Sequence, residues 1–317
     1  MTLRGGIDLG GTKIQAVVVD ADHAVRGQAR RPTPVTGGPQ DVADAMAAAL
    51  TDAADAAGVA PSDLAAIGAG SPGGVDAAAG TVSAAGNLPG WSGTFALAGA
   101  LQTALGPRVA LGNDVNVATE AEFRLGTGRP YSSLLGVFWG TGVGGGIVLN
   151  DAPWFGRGAA GEIGHVVVER GGRRCPCGRK GCMEAYAGRS AMEAHARRRV
   201  EKGDRTKLFK LMEEHGRPRL TSGIWARALE AGDHLAEELI EEAIAALGVG
   251  VASTVNVLDV EAIVLGGGMG VRFGETFMPR LREAMAPHLF SDQDPPVLEV
   301  AALGDLGGAI GAALLVA

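Results

Sequence analysis

Apolar and polar positions along the chain follow two rhythms. Residues 6–20, GIDLGGTKIQAVVVD, read as a short apolar strand, a Gly-Gly-Thr turn and a second strand rich in β-branched residues. Residues 134–149, LLGVFWGTGVGGGIVL, repeat that scheme around a Gly-Thr-Gly turn. Two hairpins of one design predict an internally duplicated core. Elsewhere the period lengthens to that of a helix. Val42, Met46 and Leu50 fall at i, i+4 and i+8 and predict a helix over 41–57 that stops at Gly58. Further helices are expected over 188–202 and over 233–258, where Leu235, Leu239, Ala243 and Leu247 form one stripe. The strand in EAIVLGGG delivers Gly266, Gly267 and Gly268 to its C-terminal end, the edge at which α/β sheets hold ligands. Arg197 to Arg199 read as the solvated face of a helix, and residues 203–223 are polar and irregular in pattern and carry no assigned role.

Composition narrows the class. Hydrophobic residues make up 46% of the chain and charged residues 20%, as in a globular protein of one or two domains. Twenty-eight Lys and Arg against thirty-five Asp and Glu give a net charge of −7, which argues against a nucleic-acid or anionic-membrane surface and leaves a small anionic ligand open. The start, MTLRGGIDLGG, lacks an apolar leader, and no uninterrupted apolar stretch reaches the roughly eighteen residues of a membrane span, so a cytoplasmic location is expected. The fifty-one glycines point to many turns at which backbone approaches something closely. Two segments match G-x-G-x-x-G, at Gly68, Gly70, Gly73 and at Gly140, Gly142, Gly145. Neither opens a helix, as a dinucleotide site requires. GGTK resembles the end of a Walker loop, but a strand follows it.

All three cysteines lie between residues 161 and 186, as C-x-C-x4-C at Cys175, Cys177 and Cys182, with His165 ten positions before the first. Pairing them as disulfides would leave one thiol over. Three thiolates and an imidazole complete a tetrahedral shell for Zn²⁺, and a filled shell indicates a structural ion. Pro176 and the glycines of CGRKGC suit a loop wrapped tightly round a small ion. The alternative is three reduced thiols beside a surface histidine. Glu162 and Glu184 flank the loop, outside that shell.

EIGH followed by CPCGRKGCME resembles the signature of the ROK family of bacterial sugar kinases and repressors. DLGGTKI resembles that family's first phosphate hairpin, GNDVNVA its catalytic segment, GTGVGGGIV its second phosphate hairpin and LGGGM its adenosine-side turn, in family order over nearly the whole chain. The resemblance implies an α/β architecture of the actin-like ATPase (ribonuclease H-like) fold, with two α/β domains closing over a cleft. Its last helix, here GDLGGAIGAALLVA, returns to the first domain, so the expected domains are 1–112 plus 303–317, and 113–302. Repressor members carry a helix-turn-helix ahead of the first hairpin. Only five residues precede that hairpin here, and with the negative net charge, sequence-specific DNA binding is not expected.

On the kinase branch the resemblance implies an ATP-dependent hexose kinase, a glucokinase-like homodimer or homotetramer. The backbone N–H groups of Gly10, Gly11 and Thr12, and of Gly140, Thr141 and Gly142, would approach phosphate oxygens. Gly267 and Gly268 would lie on the adenosine side, and Asp8 would hold Mg²⁺ through water. Lys13 reads equally as a phosphate contact or an ordinary turn lysine. Asp114 is implied as the general base for the sugar 6-hydroxyl, with a helix cap as the alternative. Asn113, Glu162, His165 and Glu184 would bind sugar hydroxyls, with Gly74 and Asn87 as further contacts. His165 would place one ring nitrogen on zinc and the other on the substrate. One departure stands out: many members have E-x-Y-x-S-G, whereas Glu184 is followed here by AYAGR. NLPGW and the cysteine segment favour glucose, while mannose, fructose or an N-acetylhexosamine would use the same hydroxyl contacts. Inorganic polyphosphate as donor, or a sugar-sensing regulator without activity, are the competing readings.

Overall fold

A computed structural model of the protein describes residues 2–86, 88–291 and 293–317. The chain forms two compact units: 1–130 with 155–158 and 302–317, and 131–154 with 159–301.

The first unit holds β1 (Arg4–Leu9), β2 (Lys13–Val19), β3 (Val25–Pro32), α1 (Pro39–Ala56), β4 (Ile67–Ser71), β5 (Gly74–Asp76), β6 (Thr81–Ser83), α2 (Leu97–Leu105), β7 (Val109–Asn113) and α3 (Asp114–Leu125). Its main sheet runs β3-β2-β1-β4-β7, with the β1–β2 hairpin antiparallel and β4 and β7 parallel to β1. Strand β2 has no solvent-facing side because both of its faces are covered, even at Gln15. Ile14, Ala16 and Val18 join Val42, Met46 and Leu50 of α1, while Val17 and Val19 point the other way.

The second unit adds β8 (Leu134–Trp139), β9 (Val143–Leu149), β10 (Ala152–Pro153), α4 (Glu184–Ala187), α5 (Arg189–Glu201), α6 (Leu208–Glu214), α7 (Ser222–Glu230), α8 (His234–Leu258), β11 (Ala262–Gly266), α9 (Gly267–Met285) and β12 (Val297–Val300). Its sheet runs β10-β9-β8-β11-β12 with the same senses as the first: a β8–β9 hairpin, then two parallel strands. This is the duplication the two hairpins predict. Helix α8, capped by the Asp233 carboxylate on Ala236 N–H at 2.9 Å, carries the predicted Leu stripe into the core. Among the described residues it is the one helix with the length and hydropathy of a membrane span, and 56% of that window is buried within the protein.

The chain then returns to the first unit as α10 (Gly307–Leu314). Its Ala309, Ile310 and Ala313 cover Val17 and Val19. The approach is so close that a Cβ on Gly6 would lie 2.0 Å from the Ala309 carbonyl oxygen, and one on Gly68 1.7 Å from that of Ala312.

One expectation needs correction. The boundary at 112/113 would have placed α3 in the second domain, yet α3 belongs to the first unit. It packs on α10 so tightly that a Cβ on Gly311 would meet the Val117 carbonyl oxygen at 2.0 Å. Residues 203–223, left without a role by the sequence, form α6 and the capped start of α7, where Thr221 Oγ1 accepts from Ile224 N–H at 3.3 Å. The basic run before them is partly used in packing, since Arg197 lies over the Phe209 ring at 4.6 Å and Arg199 pairs with Glu238 at 2.9 Å.

Candidate active site

In the first unit the β1–β2 turn is closed by Gly10 N–H donating to the Lys13 carbonyl at 2.9 Å, which leaves Gly11 and Thr12 at its tip. Thr33, just past β3, pins the turn: its hydroxyl donates to the Gly10 carbonyl at 2.6 Å and its N–H to that of Thr12 at 3.3 Å. Asp8 stands in β1 beside this turn. Burial lifts its carboxyl to about 6, with Lys13 pulling it down and Asp305 pushing it up. The start of α10 lies against it, since a Cβ on Gly308 would come within 2.6 Å of Asp8 Cγ. A carboxylate that burial makes costly to ionise, next to a second acidic group, is a hard-oxygen donor suited to a divalent cation such as Mg²⁺. Lys13 Nζ is 2.8 Å from Asp305, so a phosphate would have to compete for it.

At the β7–α3 junction the sequence left the capping role open, and the structure gives it to Asn113. Its Oδ1 accepts from Val115 N–H and Asn116 N–H, both at 3.1 Å. Asp114 occupies the first helical position, where the helix dipole favours a negative charge, and its Oδ1 accepts from Val115 N–H at 3.0 Å. Asn113 therefore commits its oxygen to the helix, which leaves Nδ2 as the end of the amide not used in the cap. Gly74 begins β5, and its carbonyl accepts from Ser83 Oγ at 3.3 Å. Asn87 lies outside the described residues.

In the second unit the β8–β9 turn is closed by Gly140 N–H donating to the Gly142 carbonyl at 2.9 Å. Glu184 sits under it: Oε2 accepts from Val143 N–H at 3.0 Å, and a Cβ on Gly142 would meet that oxygen at 2.2 Å. The start of α5 grips the turn from another side, with Arg189 N–H on the Gly140 carbonyl at 3.1 Å and Ser190 N–H on that of Thr141 at 3.0 Å. The Arg189 side chain, which no sequence pattern singled out, reaches the Thr141 hydroxyl at 2.8 Å. The strand-end turn after β11 is adjacent. Gly267 has φ +78°, a conformation that favours glycine, and a Cβ on Gly140 would lie 3.9 Å from Gly268 N.

The cysteine loop gathers its four expected ligands. Their donor atoms all lie within 4.8 Å of one another. Cys177 Sγ is 3.8 Å from Cys182 Sγ, and Cys175 Sγ is 3.8 Å from His165 Nδ1. A tetrahedral zinc with Zn–S bonds of about 2.3 Å would set neighbouring sulfurs about 3.8 Å apart, so the donor set fits. Gly178 (φ +90°) and Gly181 (φ +82°) let the loop fold back, and a Cβ on Gly181 would strike the Glu169 carbonyl oxygen at 1.8 Å. Burial pushes the Cys175 thiol up to about 12 and raises Cys182, whereas the Arg179 backbone N–H lowers Cys177. Glu184 Oε1 stands 3.8 Å from Cys175 Sγ, so this one carboxylate links the loop to the β8–β9 turn. With Nδ1 turned to the sulfurs, His165 presents Nε2 3.8 Å from the exposed Glu162 carboxylate. That pair can offer a donor and an acceptor to vicinal hydroxyls.

The profile of the ROK family matches residues 4–317. The glucokinase of Thermotoga maritima is 32% identical over 286 residues, covering 90% of this chain and 87% of its own. The N-acetyl-D-glucosamine kinase of Salmonella paratyphi B is 32% identical over 323 residues, covering 98% of each. The crystal structure of a ROK family glucokinase from Streptomyces griseus, in complex with glucose and AMPPNP, superposes with a TM-score of 0.84 at 31% identity, covering 99% of this chain and 98% of that one.

Proposed function

The chain belongs to the ROK family, and from that premise we propose that it is an ATP-dependent hexose kinase that phosphorylates the 6-hydroxyl of glucose. The observation that carries this reading is the sulfur cluster on His165 Nδ1, which leaves Nε2 beside Glu162 as a fixed hydroxyl-binding pair.

Asp114 accepts the proton of the 6-hydroxyl as that oxygen bonds to the γ-phosphorus and the bond to the ADP oxygen breaks. Glu162, His165 and Glu184 hold the other hydroxyls, with Asn113, Gly74 and Asn87 as further contacts. The turn amides at Gly10–Thr12 and at Gly140–Gly142 bind phosphate oxygens, with Lys13 as an added cation once it leaves Asp305, and Gly267 and Gly268 take the adenosine side. Mg²⁺, held by Asp8 through water, would neutralise charge building on the phosphates. A zinc on His165, Cys175, Cys177 and Cys182 would fix the imidazole's tautomer and aim without entering the chemistry.

Glucose is the first choice, but an N-acetyl-D-glucosamine kinase is as similar to the chain as a glucokinase, both at 32% identity. Coupled ADP release over glucose, mannose, fructose and N-acetylglucosamine, each with ATP and with polyphosphate, decides. The proposal expects glucose with ATP to give the highest kcat/KM. A higher value for an N-acetylated sugar would replace glucose, and turnover with no sugar would remove the kinase reading.

A further inference from the structure

Among the described residues, Arg189 is a buried cation with no ion-pair partner. It opens α5, is 9% exposed, and donates from Nη1 to the Leu220 carbonyl and from Nη2 to the Thr141 hydroxyl, each at 2.8 Å. Both acceptors are neutral, and among the described residues no carboxylate lies within ion-pair distance of it. Glu193, one helical turn on, faces other partners: Arg197 at 2.7 Å and Leu220 N–H at 2.9 Å. The position is unfavourable for a cation, because the dipole at a helix N-terminus repels positive charge. Burial pulls the guanidinium below its usual range; Glu193 partly offsets this and Arg219 adds to it. A buried, unpaired charge is among the costliest groups a fold can hold. What lies next to it is the Gly140–Gly142 turn, whose Gly140 and Thr141 carbonyls accept from the first two N–H groups of α5.

We propose that Arg189 is a nucleotide-positioning residue, which fixes the Thr141 hydroxyl and places behind the Gly140–Gly142 turn a positive charge whose counter-anion is the nucleotide polyphosphate. The assignment rests on the reading of that turn as a phosphate site. It also gives a role to part of the segment that sequence left unassigned. Leu220 is held at both ends of its peptide unit by α5, at its carbonyl by Arg189 and at its N–H by Glu193. Two residues on, Ser222 Oγ accepts from Arg272 Nε of α9 at 3.3 Å and lies 3.9 Å from where a Cβ on Gly268 would sit. The guanidinium thus ties the phosphate turn, through residues 220–222, to the Gly267–Gly268 turn. In the sequence, Arg189 falls within the AYAGR stretch that departs from the family pattern, and it is the charged residue there.

The test is AMPPNP binding to the whole chain without sugar, at low and high salt, together with the KM values for ATP and glucose. R189Q should weaken AMPPNP by about tenfold at low salt, the equivalent of one lost charge-assisted contact, and flatten the salt dependence while leaving the glucose KM unchanged. R189K, which keeps the charge and loses the planar fork, should recover part of the affinity. Unchanged AMPPNP affinity in R189Q, or equal losses of nucleotide and glucose, would overturn the assignment. Should R189Q fail to fold, R189K decides by the same criterion: a nucleotide-selective loss supports it and equal losses overturn it. A parent protein that binds AMPPNP but phosphorylates no sugar contradicts the kinase reading alone. A parent that is an active kinase, with R189Q unchanged in nucleotide affinity, contradicts this inference alone.

Discussion

At the scale of single residues, the division of labour between Asn113 and Asp114 matters most. A strand ending in Asn-Asp before a helix could use either side chain as the cap, and sequence spacing does not choose between them. The structure does, because Asn113 has the extended backbone from which its oxygen reaches two helix N–H groups. Asp114→Asn should therefore keep the helix and lower kcat by a factor on the order of 10³ with glucose binding nearly unchanged, as for loss of a general base. Steady-state kinetics with a sugar-binding titration checks this, and retained turnover would remove Asp114 from the mechanism. Asn113→Ala should instead cost about 1 kcal/mol of stability, visible as a lower Tm. The clustering of His165 with the three cysteines was legible because thiols and an imidazole at that spacing have few other uses. Arg189 was not, since its partner Leu220 lies 31 residues away and a lone arginine carries no spacing signal.

At the scale of elements, period-2 and period-3.6 patterns located both hairpins, α1 and α8, because those elements bury whole faces, whereas α5, also expected, buries Arg189, Met192 and Ala196. Helix α6 escaped because it has seven residues and buries one side chain, Leu208, fully, too little for a pattern to repeat. Loops, too, hold elements in register. Glu261, at the entry to β11, accepts from Ser132 N–H at 2.7 Å and Ser133 N–H at 2.8 Å, at the entry to β8. Those two N–H groups hold its carboxyl below the usual 4.5. A depressed acid stabilises the fold above its unfolded value and loses that contribution as pH falls through the folded one. Glu261→Gln should accordingly lower Tm at pH 7, and the gap to the parent should close as pH falls from the usual 4.5 through the lower folded value, followed by calorimetry across pH. A gap that persists at low pH would mean that the carboxylate's charge is not what stabilises the junction.

At the scale of the whole molecule, one sheet order occurs twice, and the last helix closes back on the first unit. The duplication was legible from two hairpins. The boundary was not, because what places α3 with the first unit is its packing against α10, nearly two hundred residues later in the chain. The seat of α10 on the sheet likewise depends on missing side chains. Gly68→Ala, with its methyl driven onto the Ala312 carbonyl, should destabilise by about 1–3 kcal/mol and lower Tm, whereas an unchanged Tm would show that α10 can shift at little cost. Whether a sulfur-held imidazole orients a hexose for phosphoryl transfer is decided by measuring zinc content and the KM values of glucose and ATP on one preparation, for the parent and for Cys177→Ser. One zinc per parent chain is expected and, in the variant, lost zinc with the glucose KM raised about tenfold or more and the ATP KM nearly unchanged. A zinc-free parent with full activity, or equal losses for both substrates, would contradict it.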